Sequence, residues 1–376
     1  LCYIPILQTY IVNNAPMHSD HPVKKLLFSL KLLMGLLIAA MGLLFMFVYF
    51  YLFGMRDVEP DEPVTEKKAY VQPDSNFVSL WTAPADWRMA SLAVDEQKLV
   101  RYGKELISHT ADYLGPKGSV KHISNGMNCQ NCHLQAGTQP WGNNYFAVQA
   151  TYPKFRERSG SIENQIKRVN DCLQRSLNGQ ALDSTSREMK GILAYIQWLG
   201  TGVPQKTAPK GSGIFKIKGL KRACDPIAGK IVYEQKCQSC HQANGEGVAA
   251  ADGKSYTYPP LWGKNSYNIG AGLYRISNFA GYVKYNMPFG VTYQSPQLTD
   301  EEAWDVAAFV NSMPRPTKDL SQDWPNIAGK PFDHPFGPYA DPFSEKQHKY
   351  GPYKPIKEWK EKHKDVNIKN PSLATL

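Results

Sequence analysis

The chain has 376 residues, 42% of them hydrophobic, which at about 150 residues per domain is enough for two or three packed cores and excludes a chain disordered throughout. Seven cysteines are too sparse for a disulfide scaffold, and an odd number leaves at least one unpaired in any disulfide scheme, so their spacing carries more information than their count. The formal charge is +10, yet only 20% of residues are charged and no long Lys/Arg block stands out, so no nucleic acid is expected as a partner.

From Leu32 to Met55 no side chain is charged, a run of about 24 residues where a helix needs roughly 20 to cross the hydrocarbon core. A transmembrane helix is predicted over residues 26–55, preceded by a short cytoplasmic N-terminus, residues 1–25. Lys24, Lys25 and Lys31 lie on its N-terminal side, and Arg56 is soon followed by Asp57, Glu59, Asp61 and Glu62. The positive-inside rule then leaves the N-terminus in the cytoplasm and exports everything beyond the helix. The expected location is the inner (cytoplasmic) membrane, with one pass and periplasmic globular domains. Tyr49, Phe50, Tyr51 and Phe53 stand where an aromatic belt would meet the outer interface. A cleaved signal peptide is the competing reading, but the run is longer than the usual apolar region and no A-x-A site follows it. Met17, just ahead of the lysines, is an alternative start that would leave out Cys2.

Residues 56–86 are rich in proline and acids (Pro60, Pro63, Pro73, Pro84) and read as an extended spacer. A first globular domain, residues 87–204, opens with a helix over Asp95–Leu114, where Leu99, Tyr102, Leu106 and Tyr113 recur at helical spacing. It closes with a helix over Ser186–Leu199 carrying Met189, Ile192, Ile196 and Leu199. Residues 205–222, with Lys206, Lys210, Lys216, Lys218 and Lys221, read as a linker. A second domain, residues 223–316, repeats the plan. Its opening helix is predicted over Pro226–Gln235, and its closing helix is announced by a Thr299/Glu302 capping box, carries Trp304, Ala307, Ala308 and Val310 and ends ahead of Pro314. The C-terminal extension, residues 317–376, has no persistent period and is expected to wrap over the surface. No extended alternating strand pattern occurs, so the fold class is mainly α, two similar domains in tandem after one transmembrane helix.

Each domain carries one C-x-x-C-H: Cys129-Gln130-Asn131-Cys132-His133 and Cys237-Gln238-Ser239-Cys240-His241. This is the attachment signature of c-type haem. Two thiols bond covalently to the porphyrin vinyl groups, and the histidine next to them is placed to bind iron. Zinc sites and thioredoxin-like motifs also use C-x-x-C, but neither explains a histidine directly after both copies. Two covalent haem c groups are therefore expected in two cytochrome c-like domains. For the second iron, Met287 of Asn286-Met287-Pro288 lies ahead of the closing helix and is the expected sixth ligand, which would favour ferrous iron. Met313 is a rival that lies beyond the helix.

No Met-Pro lies between His133 and the closing helix of its domain, where Met189 reads as core. The interval holds Cys172 instead. On a helix from Ser161 to Ser176, Ile162, Ile166, Val169, Leu173 and Leu177 form the core stripe, while Arg168, Cys172 and Ser176 follow at i, i+4 and i+8 on a neighbouring edge. A lone cysteine there is either a small buried hydrophobe or a reactive thiol.

The segments GMNCQNCHLQAGT, TYPKFRERSG, NQIKRVNDCLQRSLNG and EMKGILAYIQWLGTG, within Met127–Pro204, resemble the thiosulfate dehydrogenase family of dihaem cytochromes c. The likeness extends with less specificity to about residue 316 and does not cover the anchor or the tail. The resemblance implies an oxidoreductase that joins two thiosulfates into tetrathionate, in some members reversibly. It implies that the Cys172 thiolate binds the first iron opposite His133, and that Arg158, Arg168 and Ser176 line the substrate site. Some members carry lysine directly before the second methionine; here the residue is Asn286, which speaks against a lysine-to-methionine ligand switch.

The residues make chemical sense of that expectation. Thiosulfate is a dianion, and holding two together needs cations that do not titrate, such as Arg158 and Arg168 with Lys154 and Arg156 nearby. A thiolate beside such cations has a lowered pKa and is nucleophilic. Electrons would pass from the Cys/His-ligated first haem to the His/Met-ligated second and on to a redox partner: a soluble cytochrome, a terminal oxidase or a respiratory complex. The alternatives are a membrane-tethered dihaem electron carrier without substrate chemistry, or a cytochrome of the Sox sulfur-oxidising type. Cys224 reads as an incidental free thiol.

Overall fold

A computed structural model of the chain describes residues 22–53, 80–85 and 89–373. The chain divides into two units, Leu1–Ser75 and Asn76–Leu376. In the first, helix α1 spans Pro22–Phe53, and its segment Leu26–Met46 is long and apolar enough to cross a membrane. Its side chains are exposed throughout that segment, Phe45 at 78%, which is the opposite of a core helix and matches a helix whose solvent is lipid or a leader peptide. The side chains of the expected aromatic belt and most of the expected spacer lie outside the described residues.

In the second unit, the helix expected over Asp95–Leu114 is two helices, α2 (Val94–Ser108) and α3 (Thr110–Leu114). The break falls at His109, with φ −127° and ψ 40°. Its reason lies at the next residue: Thr110 Oγ1 donates to the Leu106 carbonyl (2.7 Å) and accepts from the Cys129 N–H (2.9 Å). The chain gives up one helical turn there and ties the helix pair to the first cysteine motif. Two short ladders also depart from the helical expectation. Strands β1 (Lys154–Arg156) and β2 (Ser161–Glu163) pair antiparallel with Phe155 opposite Ile162. Three-residue strands are too short to leave an alternation in sequence.

Helix α4, expected from Ser161, starts at Gln165 and runs to Arg175. Asn164 caps it by accepting from the Lys167 N–H (2.9 Å), an arrangement that competes effectively with an earlier start. Ile162 therefore does not join the core stripe; it lies on β2 and is 74% exposed, whereas Leu173 and Leu177 are buried as expected. The closing helix of the first domain, α5 (Arg187–Leu199), is capped by Ser186 and buries Met189 completely.

In the second domain, α6 (Pro226–Lys236) starts at an Asp225 cap and packs against α8 (Asp300–Ser312). The Thr299/Glu302 capping box is formed in both directions, at 3.1 and 2.8 Å. Between them, β3 (Val248–Ala249) pairs with β4 (Tyr256–Tyr258), and α7 (Ile276–Asn286) ends at Met287. Both domains solve their main helix crossing alike. A Cβ at Gly103 would lie 1.9 Å from the Gly191 carbonyl oxygen, and one at Gly229 would lie 1.9 Å from that of Asp305. Backbone meets backbone at each crossing, and only glycine fits.

The connection over residues 205–222 lies against both domains. Trp141 and Asn143 donate backbone N–H groups to the Gly211 (2.7 Å) and Gly213 (2.9 Å) carbonyls, Phe215 touches the rings of Trp141 and Tyr285, and Trp304 Nε1 donates to the Lys218 carbonyl at 2.8 Å. The C-terminal extension wraps the surface, but it also buries Trp324, Ile327, Tyr353 and Ile356 and forms helices α9 (Glu345–Tyr350) and α10 (Lys354–Lys362). Cys224 is buried beneath it and burial pushes its thiol up to about 12, the state of an inert packing thiol.

Candidate functional site

The two cysteine motifs have one local backbone. In the first, the Cys132 and His133 N–H groups donate to the Cys129 carbonyl at 3.2 and 2.9 Å; in the second, Cys240 and His241 donate to the Cys237 carbonyl at 3.2 and 2.9 Å. Each turn is anchored from outside. Asn128 Oδ1 accepts from the Ala111 N–H (2.8 Å) and Gln130 Nε2 donates to the Ser108 carbonyl (2.7 Å), while the Tyr233 hydroxyl donates to the Gln242 carbonyl (2.6 Å).

Each motif histidine is held in one tautomer. His133 Nδ1 meets the Asn143 carbonyl and His241 Nδ1 meets that of Pro259 (2.8 Å). A carbonyl only accepts, so each Nδ1 carries the proton and each Nε2 keeps its lone pair for a metal. Burial lowers both pKa values, that of His133 to about 4, so both rings are neutral at pH 7. None of the six cysteines among the described residues is in a disulfide, which leaves both motif pairs as thiols for thioether bonds. Arg315 adds an independent sign of an anionic group. It donates to the Leu261 and Val310 carbonyls, lies over Tyr267 and Tyr274, and keeps a buried Nε with no hydrogen-bond partner among the described residues. A haem propionate is the kind of partner such a group lacks.

Around the first motif the fold gathers much of what the sequence singled out. Cys172 on α4 lies within electrostatic reach of both Cys129 and Cys132 and of Tyr145, whose ring stacks on His133 at 4.4 Å. Arg168, one turn before it, is held above the usual arginine range, first by its electrostatic interaction with Cys172 and against the effect of its burial. Ser176 is the C-cap of α4; its N–H closes the last turn on the Cys172 carbonyl at 2.8 Å.

Arg158 is placed differently, at the tip of the β1–β2 hairpin. Its Nη1 donates to the Gly270 carbonyl (2.9 Å) of the second domain and its guanidinium lies 5.5 Å from the Trp324 ring centre in the tail. Burial first, then Arg175 and more weakly Arg168, bring its pKa down to about 10 against the opposing pull of Asp323 and Asp171, so it remains a cation at pH 7. Arg175 was not singled out by sequence although it follows Cys172 by one turn. It is paired with Asp323 through two bonds of 2.8 Å. Asp323 and Trp324 carry no sequence signal that points to this site, since they arrive from far along the chain, Asp323 from 148 residues beyond Arg175.

Met287 ends α7 in extended conformation and packs, half-buried, against the core. The same helix touches the first domain: the Tyr282 hydroxyl donates to the Asn131 carbonyl inside the first haem motif (3.1 Å), and buried Asn286 accepts from Gln139 (2.7 Å) and donates to the Trp141 carbonyl (3.2 Å). The residue before Met287 is thus fully engaged in joining the two domains.

The profile of the SoxA/TsdA cytochrome c domain matches residues 119–205, and that of cytochrome c matches residues 227–314. The chain is 38% identical over 233 residues to a thiosulfate dehydrogenase of Psychrobacter arcticus, covering 60% of this chain and 67% of the relative. It is 37% identical over 239 residues to one of Allochromatium vinosum, covering 62% and 84%. Among solved structures it is similar to the thiosulfate dehydrogenase TsdBA of Marichromatium purpuratum in its as-isolated form, with TM-score 0.58 and 31% identity over 64% of this chain and 50% of that one. With two cytochrome c domains, one haem-attachment motif in each, and this degree of identity over two thirds or more of its relatives, the chain belongs to the thiosulfate dehydrogenase family of oxidoreductases and carries two haem c groups.

Proposed function

We propose that the protein oxidises two thiosulfates to tetrathionate at the first domain. The observation that carries this reading is the Cys172–Arg168 pair set against the first haem motif, a thiol and a non-titrating cation one turn apart on α4. His133 and Cys172 would hold the first iron and His241 and Met287 the second, and the haems supply one-electron acceptors, the thiolate-ligated one at the lower potential. The chain's own residues do the rest. Arg168 and Arg158 draw in the dianion and offset the repulsion between two of them. Cys172, free of iron, joins the outer sulfur of one thiosulfate, giving Cys–S–S–SO₃⁻ with loss of two electrons. The outer sulfur of a second thiosulfate attacks that sulfur, tetrathionate leaves, and the Cys172 thiolate returns; Arg168 stabilises it. Ser176 is placed in this reading as a neutral donor at the end of the same helix edge.

The electrons leave through the second domain to a respiratory acceptor. Helix α1 holds the protein in the inner membrane, N-terminus cytoplasmic and haem domains periplasmic, on the strength of Lys24, Lys25 and Lys31 before the apolar run and acids after it. Substituting Cys172→Gly is expected to abolish thiosulfate-dependent reduction of an artificial acceptor while haem content stays at two per chain. Turnover near the wild-type rate in that variant overturns the mechanism.

A further inference from the structure

We infer that the C-terminal extension completes the anion site, with Trp324 as the positioning residue that holds Arg158 while leaving its charge free for a dianion. This rests on the proposed thiosulfate chemistry and extends it to a part of the chain that lies beyond both matched family profiles.

The tip of the β1–β2 hairpin is gripped by the tail at three points. The Trp324 N–H donates to the Arg158 carbonyl at 2.7 Å. Gly160, at φ +60°, would place a Cβ 3.0 Å from Pro325 Cγ, and a Cβ at Gly329 would lie 2.4 Å from Glu157 Oε2. The hairpin alone, two three-residue strands, has too few contacts to fix a long side chain; the tail supplies the missing ones.

The chemistry of the contacts is selective. Arg175 receives a carboxylate from the tail, Asp323, in a two-bond pair only 11% exposed on the arginine side, and its charge is cancelled. Arg158 receives an aromatic face, a carbonyl at Gly270 and no carboxylate within ion-pair distance among the described residues; Asp323 and Asp171 act on it only at longer range. An aromatic ring orients a guanidinium without neutralising it. One segment of the tail therefore pairs one arginine directly with a carboxylate and sets an aromatic face against the other, which leaves Arg158 the less neutralised cation for a small dianion beside Arg168.

Trp324 bears the cost of this placement in its backbone. Its φ is +64°, a left-handed conformation unfavourable for a bulky residue. It is held there by its N–H on Arg158 and by its indole Nε1, which donates to His334 Nε2 at 3.1 Å. Strain of this kind persists where surrounding structure over-determines it, and it gathers at functional sites.

The test uses the full-length holoprotein. Trp324→Ala is expected to raise KM for thiosulfate about tenfold with kcat within about twofold, and Trp324→Phe to restore KM to within about threefold, with haem stoichiometry and visible spectrum unchanged in both. A purely structural tail would instead lower haem content or kcat with no rescue by phenylalanine. Binding is read separately by equilibrium dialysis of labelled thiosulfate against Cys172→Gly with and without Trp324→Ala. Absence of thiosulfate turnover in the wild type sinks the functional reading. Equal retention of thiosulfate by the two dialysed proteins, or an unchanged KM in Trp324→Ala, overturns the role of the tail.

Discussion

Replacing Asp323 with alanine strands a buried cation. The Arg175 side chain is 11% exposed and both its charge-assisted bonds, at 2.8 Å, end on that carboxylate. The nearest remaining acid is Asp171, 4.0 Å from Arg175 Nε and already shared with Lys167 at 3.3 Å. Removing one partner of a buried pair costs about 3–5 kcal/mol. Because Asp171 offers partial compensation, the lower end, about 3 kcal/mol, is expected, and it should fall on the tail's attachment before the rest of the molecule. Hydrogen exchange of a peptide covering residues 317–330 in the full-length holoprotein reads this as about a hundredfold faster exchange, since each 1.4 kcal/mol is tenfold. The double variant Arg175→Met with Asp323→Leu removes both charges and should recover most of the protection, because an apolar pair of similar volume is often as stable as a buried ion pair. Protection in Asp323→Ala within about threefold of wild type, or a double variant no better than the single one, refutes the account.

Two other expectations concern stability. Gly229→Ala pushes a methyl group against the Asp305 carbonyl, 1.9 Å away, so α6 and α8 must part; overpacking of this kind costs about 1–3 kcal/mol, read as a lower denaturation midpoint for the second domain, and Gly103→Ala should do the same in the first. An unchanged midpoint in both would mean the crossings are looser than these distances. His334 is neutral in the fold, its pKa lowered to about 3 by burial and then Lys330, with Arg158 acting the same way and Phe336 and Asp333 opposing. A folded pKa below the unfolded one means that the unfolded chain binds the proton first, so stability is constant above about pH 6.5 and falls as the pH drops towards 3, by up to about 1.4 kcal/mol per pH unit. The amide protection of residues 317–330 should follow that curve, and His334→Phe should flatten it; a flat curve in the wild type contradicts the buried neutral histidine.

What the sequence settles on its own is whatever chemistry and backbone bonding confine to a few neighbouring residues. Haem attachment needs two thiols and a histidine within five positions, so Cys129–His133 and Cys237–His241 declare themselves. Helix ends are decided by side chains three residues from the backbone groups they satisfy, which is why the Thr299/Glu302 cap is readable. An uncharged run of helix-spanning length identifies α1 for the same reason. The break at His109 and the displaced start of α4 escaped because Thr110 answers to Cys129, nineteen residues on, and because Asn164 competes with Ser161 for the first turn. Pairings such as Arg175–Asp323 and Arg158–Trp324 are beyond any local pattern. Each joins residues separated by most of two domains, and charge or aromaticity at one position says nothing about which partner the chain path will bring to it. The sequence names Cys172, Arg158 and Arg168 but not Arg175; the course of the tail across the hairpin decides that Arg175 is paired with Asp323 while Arg158 lies against Trp324.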